Sequence, residues 1–176
     1  MERRQFVKAS ALASMGLLGG ASAWLSIGPD KESLTITAAL AKLEALTDKA
    51  ISHSGSWNPA TVFIHCAQSI DYSITGYPEH KSDVFKNTVG SLAFSAFALK
   101  GAMAHGLDQP IPGAPAINSD QDLPQALATL KKSLIDFNRY SGTLEPHFAY
   151  GELSKAEYEA AHVMHIYNHF DEFQVA

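Results

Sequence analysis

Apolar residues recur at spacings of three and four along most of this chain, and no stretch alternates apolar and polar residues with period two between turn signals. That pattern admits helices and leaves no expected role for strands. A first helix is expected over residues 34–52, where Ile36, Leu40, Leu43, Leu46 and Ala50 share a face. Asn58-Pro59 supplies an N-cap and a first-turn proline for a second, ending at Gly76-Tyr77-Pro78. A third is expected over residues 83–105, with Val84, Val89, Leu92, Phe94, Phe97 and Leu99 as its apolar side. Pro110, Pro112, Gly113 and Pro115 make residues 108–119 a loop. Asp122 with Gln125 opens a fourth helix, striped by Leu127, Leu130, Leu134 and Phe137. Ser154-Lys155-Ala156-Glu157 is a capping box opening the last, to about Phe173. The expected fold is all-α: a four-helix bundle with one long crossover loop, in which the segment 34–52 is either the first helix or an addition.

The N-terminus belongs outside that fold. Arg3-Arg4-Gln5-Phe6-Val7-Lys8 resembles the motif read by the twin-arginine translocase. The run from Ala9 to Ile27 is only mildly apolar, too weak for a good membrane anchor, and Ala21-Ser22-Ala23 is a small-x-small cleavage site. The expected division is residues 1–23 as a signal peptide and 24–176 as one domain. The translocase is then the partner in export, and the destination is periplasmic or secreted. The alternative is a protein anchored by an uncleaved leader. Arg3, Arg4, Lys8 and Glu2 give the leader a net charge of +2, so the remainder carries −7. Such a surface argues against nucleic acid as a partner. Cys66 is the sole cysteine, so no internal disulfide can form.

Eight histidines are many for 176 residues, and imidazole is the commonest metal-ligating side chain. His162, His165 and His169 lie on one side of the last helix. His65 sits within the apolar run Val62-Phe63-Ile64-His65-Cys66-Ala67, where an unpaired imidazole is unfavourable. A partner from a facing helix would relieve it, and imidazoles from two helices can form a tripod for one metal ion. A core histidine bonded to a carbonyl or to Gln68 is the simpler reading of His65 alone.

The stretch from Trp57 to Cys66 and the ending from Gly151 to Phe173 resemble the DinB-like superfamily of four-helix metal proteins. More narrowly, they are similar to the branch known as domain of unknown function 1569. The resemblance implies a divalent metal on His65, His165 and His169, and leaves His162 out, which spacing alone does not. Relatives carry a His-Pro-aromatic-aromatic-Gly motif before the last helix; here it reads His147-Phe148-Ala149-Tyr150-Gly151, without the proline. Some superfamily members are thiol-dependent transferases of the cytoplasm.

Around the tripod, Gln68, His147, His162 and Asp71 are candidates for residues near the site, and Asp171 and Glu172 are acidic neighbours in sequence. Zinc is the default metal for three imidazoles and a water, with nickel or iron as alternatives. Two functions follow. One is a metal-dependent hydrolase or transferase acting on an unknown small molecule. The other is a non-catalytic metal-binding or interaction domain. A homodimer is compatible with both.

Overall fold

The computed structural model describes residues 34–176, so the twin-arginine motif and the cleavage site lie outside the described residues. Helix dominates. α1, Ile36–Glu44, begins at Thr35, whose hydroxyl accepts the Ala38 N–H. It is shorter than the periodicity of Leu46 and Ala50 suggests. The chain turns after Glu44, with Asp48 in the left-handed region at φ 59°, and enters a short strand, β1, Ile51–His53.

α2, Pro59–Thr75, starts where Asn58 and Pro59 place it: the Asn58 side chain accepts the Thr61 N–H at 2.9 Å. Its buried residues lie on nearly every side, which marks an interior helix. The third helical stretch, α3, is continuous through Asp83–Phe85, a π-helical turn at Lys86–Gly90, and Ser91–Lys100. It stops at Gly101, which takes a left-handed φ of 72°, so His105 lies beyond the helix instead of closing it. α4, Leu123–Arg139, is capped by Asp122, and α5, Lys155–Phe170, carries the expected reciprocal box between Ser154 and Glu157. A final strand, β2, Phe173–Val175, pairs antiparallel with β1 in the register Ile51↔Val175 and His53↔Phe173. This two-stranded ribbon is a correction to the strand-free expectation. It ties the end of the chain to the entry of α2.

The core gathers Val62, Phe63, Cys66 and Ile70 from α2, Leu127, Leu130, Leu134 and Phe137 from α4, Tyr158, Val163 and Ile166 from α5, and Ile36 and Leu43 from α1. Each large apolar side chain taken fully out of water contributes roughly 1.5–3 kcal/mol. α2 packs most extensively on α4 and also faces α5; α1 lies against α4 and α5, and α3 reaches α5. The expected apolar side of α3 is a second correction. Phe94 is buried, but Val84, Val89, Leu92 and Leu99 are 57–76 % exposed. Within the regular turn sequence Ser91–Lys100, Leu92 and Leu99 lie on the side opposite Phe94 and Phe97, so these apolar residues do not form one stripe. No helix among the described residues is long and apolar enough to cross a membrane.

Candidate metal centre

One face of α2 is polar within an otherwise apolar surround. His65, Ser69 and Ser73 follow one another at four-residue spacing, and all three are buried. Opposite them α5 presents His162, His165 and His169. Because the helices meet with His65 near His165 and Ser73 near His162, they run antiparallel along this seam.

At its upper end three imidazoles converge. His165 Nε2 lies 3.2 Å from His65 Nε2 and 3.2 Å from His169 Nε2. One nitrogen from each of the three rings lies within 4.8 Å of the others. Nitrogens bound tetrahedrally to zinc at 2.0–2.1 Å stand about 3.3 Å apart, close to the two shorter separations. The Nδ1 atoms of His65 and His169 are buried without a hydrogen-bond partner. Three neutral imidazoles cannot satisfy one another through these contacts: an Nε2 lone pair facing another lone pair is repulsive, and each ring holds one proton. A cation accepting all three lone pairs removes that conflict and fixes the proton on each Nδ1. The residues present therefore fit a divalent metal.

Burial keeps the rings neutral, as ligation requires. His65 is lowered to about 4, mainly by desolvation and further by His105. Desolvation, with His65 and His105, holds His169 at about 3. His165 is held well below the ordinary value by desolvation and its histidine neighbours. Trp57, at the entry to α2, packs edge-on to His65 with ring centroids 5.0 Å apart and lies parallel to His169 at 6.4 Å, bracing both rings.

A family model described as a protein of unknown function, DUF1569, matches residues 29–175. The chain belongs to this family. Comparison with curated proteins and with solved structures finds no match.

The other residues singled out in this DUF1569 chain are placed differently. His162 is one turn below the cluster, its Nε2 3.2 Å from Ser73 Oγ. Ser73 spends its own hydrogen on the Ile70 carbonyl, so the His162 Nε2–H donates and offers no lone pair there. His147 Nδ1 accepts the N–H groups of Ala149 and Tyr150, and its backbone pairs with Gly151 in both directions. It organises a tight turn that carries Phe148 and Tyr150, which line the cavity next to the cluster. Gln68 turns outward, its amide within 3.5 Å of the Pro115 carbonyl. Asp71 is exposed and bonds Ser133 on α4. Asp171 caps α5, and the Glu172 carbonyl accepts the Ser54 N–H. None of these carboxylates reaches a cluster histidine.

The residue that sequence reasoning missed is His105. Its ring centroid lies 4.8 Å from that of His165 and 5.3 Å from that of His169. Its Nδ1 lies 2.8 Å from the Gly106 carbonyl, so Nδ1 holds the proton and Nε2 keeps its lone pair. The available signal was slight: a histidine beside Gly106, five residues past the end of α3.

A cavity of about 190 Å³ opens beside the cluster, lined by His65 and His165, by His105, Gly106 and residues 109–112, and by Phe148 and Tyr150. The proline-rich crossover thus forms a wall of the site, anchored by the buried Ile111.

Burial also makes this protein sensitive to acid. His147 and His162 both lie at about 3, lowered chiefly by desolvation. In the unfolded chain such groups take up protons near pH 6.5, whereas in the folded chain they do not until near pH 3. The unfolded state therefore binds more protons between those limits, and stability falls as pH drops from 6.5 toward 3. Each such histidine removes up to about 1.4 kcal/mol per pH unit crossed. Urea midpoints of chelator-treated protein should decline steadily below pH 6.5; a flat profile from pH 7 to 4.5 would contradict the assignment.

Proposed function

We propose that this chain is an exported protein whose helices form a DinB-like four-helix bundle around one divalent metal, and that the metal centre is catalytic. His65, His165 and His169 hold the ion, with zinc the expected species and nickel or iron the alternatives. The observation that carries this reading is the convergence of three neutral imidazoles, two buried and one half-buried, beside a cavity. The bundle reading draws on α2 packing against α4 and α5, α3 reaching α5, and the long 101–122 crossover joining α3 to α4; α1 is then an addition.

When bound, such an ion polarises a substrate oxygen and makes a coordinated water acidic near neutrality. The chain's own groups would do the rest. Trp57 braces two of the rings, and Tyr150 and Phe148 shape the cavity wall. The free Nε2 of His105 can accept a proton beside the cluster. Hydrolysis or group transfer on a small molecule is the reaction class this supports. The second reading, a metal that only holds the bundle together, is favoured by one specific feature: His105 lies close enough for a small loop movement to make it a fourth ligand and close the site.

The leader supports export in a folded state, with the metal loaded in the cytoplasm. Protein recovered after native export should contain one equivalent of metal by elemental analysis. Recovery of folded protein with no bound metal would overturn the proposal.

A further inference from the structure

The cavity beside the histidine cluster has a charge character unlike the rest of the molecule. The chain carries 18 acidic residues against 13 basic ones, yet among the described residues no Asp or Glu lines this cavity. Among the described residues its one charged lining residue is Lys81. The Lys81 ammonium forms no ion pair with a described carboxylate, although Lys86, Lys131 and Lys132 each have one. The position of Lys81 is set by its backbone, whose N–H donates to the Phe148 carbonyl at 2.9 Å and joins it to the turn that also places Tyr150. Ser69 and Tyr150 bring hydroxyl groups, and burial raises the Tyr150 phenol to about 12, so it stays protonated as a donor. Met103, Ile111 and Phe148 are apolar.

Among the described residues the pocket offers one lysine without a carboxylate partner, four neutral imidazoles, hydroxyl groups, no acid and an apolar wall, and such a pocket selects by charge. A cationic ligand would face Lys81 with nothing to neutralise it. Without the ion, a dianion such as phosphate calls for more donors than one lysine and two hydroxyls. We infer that the cavity binds a small organic monoanion, a carboxylate on an apolar body, whose charge is met by Lys81 and whose body lies against Met103, Ile111 and Phe148. This rests on the proposed metal centre only in making that carboxylate its substrate class; Lys81 and the cavity do not depend on the ion.

The test is calorimetric titration of the purified full-length chain, zinc-loaded and after chelation, with benzoate, benzamide, benzylamine and inorganic phosphate. In the chelated chain benzoate is expected to bind at least about tenfold more tightly than benzamide, with benzylamine and phosphate weaker than both. Lys81→Gln should lower the benzoate-to-benzamide ratio about tenfold, and Lys81→Arg should restore most of it. Lys81 is exposed, so these variants should fold, which circular dichroism checks. In the chelated chain, equal binding of benzoate and benzamide, a preference for benzylamine or phosphate, an unchanged ratio in Lys81→Gln, or no benzoate binding up to about 10 mM would each overturn the inference. A Lys81-dependent preference that persists after chelation would stand even if elemental analysis found no metal, so the two proposals fail separately.

Discussion

Replacing His65 with alanine is expected to weaken zinc binding by more than about 100-fold, because loss of a neighbour that only orients a ligand already costs 10–100-fold. His65 is the sole member of the cluster on α2, and His165 and His169 alone are a two-imidazole site on one helical turn. In the parent chain, zinc at 100 times its dissociation constant should stabilise the fold by about 2.7 kcal/mol, a rise of roughly 5–10 °C in Tm for a chain of this size. In His65→Ala that rise should vanish. The metal-free variant should remain folded, because two effects oppose each other: the ring's contact with Trp57 is lost, and a buried Nδ1 without a partner is removed. Thermal melts with and without zinc, together with competition against a chromophoric chelator, read both quantities. Zinc affinity equal to that of the parent would refute the tripod.

His162 gives the contrasting result. Its ring packs against Phe137 and Tyr158 at 5.0 and 5.3 Å, and it bonds Ser73. His162→Ala should cost about 2–3 kcal/mol of stability, while zinc affinity stays within a few-fold. Two histidines three residues apart on one helix thus have separable roles, one in packing and one in the cluster.

That separation could not be read from spacing. His162, His165 and His169 share one side of α5, and what divides them is the partner each meets on α2, Ser73 or His65. What the sequence does declare is local: the caps at Asn58, Asp122 and Ser154 form as their side chains dictate, and the stripe of Leu127, Leu130, Leu134 and Phe137 is buried. The apolar setting of His65 was equally informative, because burial of an imidazole demands a partner wherever the helix goes.

Non-local features were not legible. The pairing of Ile51 with Val175 joins residues far apart in sequence, through strands too short to show alternation. Near Asp48 the chain bends without glycine or proline, and the apolar periodicity runs on past the bend to Ala50. His105 is delivered to the cluster by a loop whose path depends on the packing of Ile111, and no residue pattern encodes that path. In α3 the apolar residues are plentiful but fall on two opposite sides of the helix, Phe94 and Phe97 on one and Leu92 and Leu99 on the other, so apolar content alone did not define a buried face.

Gly90, at the end of that π turn, carries the largest expected stability effect. A Cβ at this position would sit 1.9 Å from the Ala149 carbonyl oxygen and 3.0 Å from its carbon. Backbone cannot rotate away as a side chain does, and this stretch is held from three directions: the His147–Gly151 pair closes the turn, Lys81 bonds Phe148, and His147 Nδ1 gathers the next two N–H groups. Gly90→Ala must therefore push α3 off the turn or open the turn itself. The expected cost is about 3 kcal/mol or more, a large share of the 5–15 kcal/mol that stabilises an ordinary domain. Because Phe148 and Tyr150 ride on the same turn, the cavity should deform with it. Gly55→Ala is the matched control. The nearest atoms its Cβ would meet are those of the Glu172 carboxylate, 2.0 Å away at the end of a flexible side chain that can swing aside, so the change should stay within about 0.5 kcal/mol. Urea midpoints of the two variants separate close backbone approach from a general intolerance of glycine replacement. A loss below about 1 kcal/mol in Gly90→Ala would mean that the contact between α3 and the turn is looser than the geometry requires.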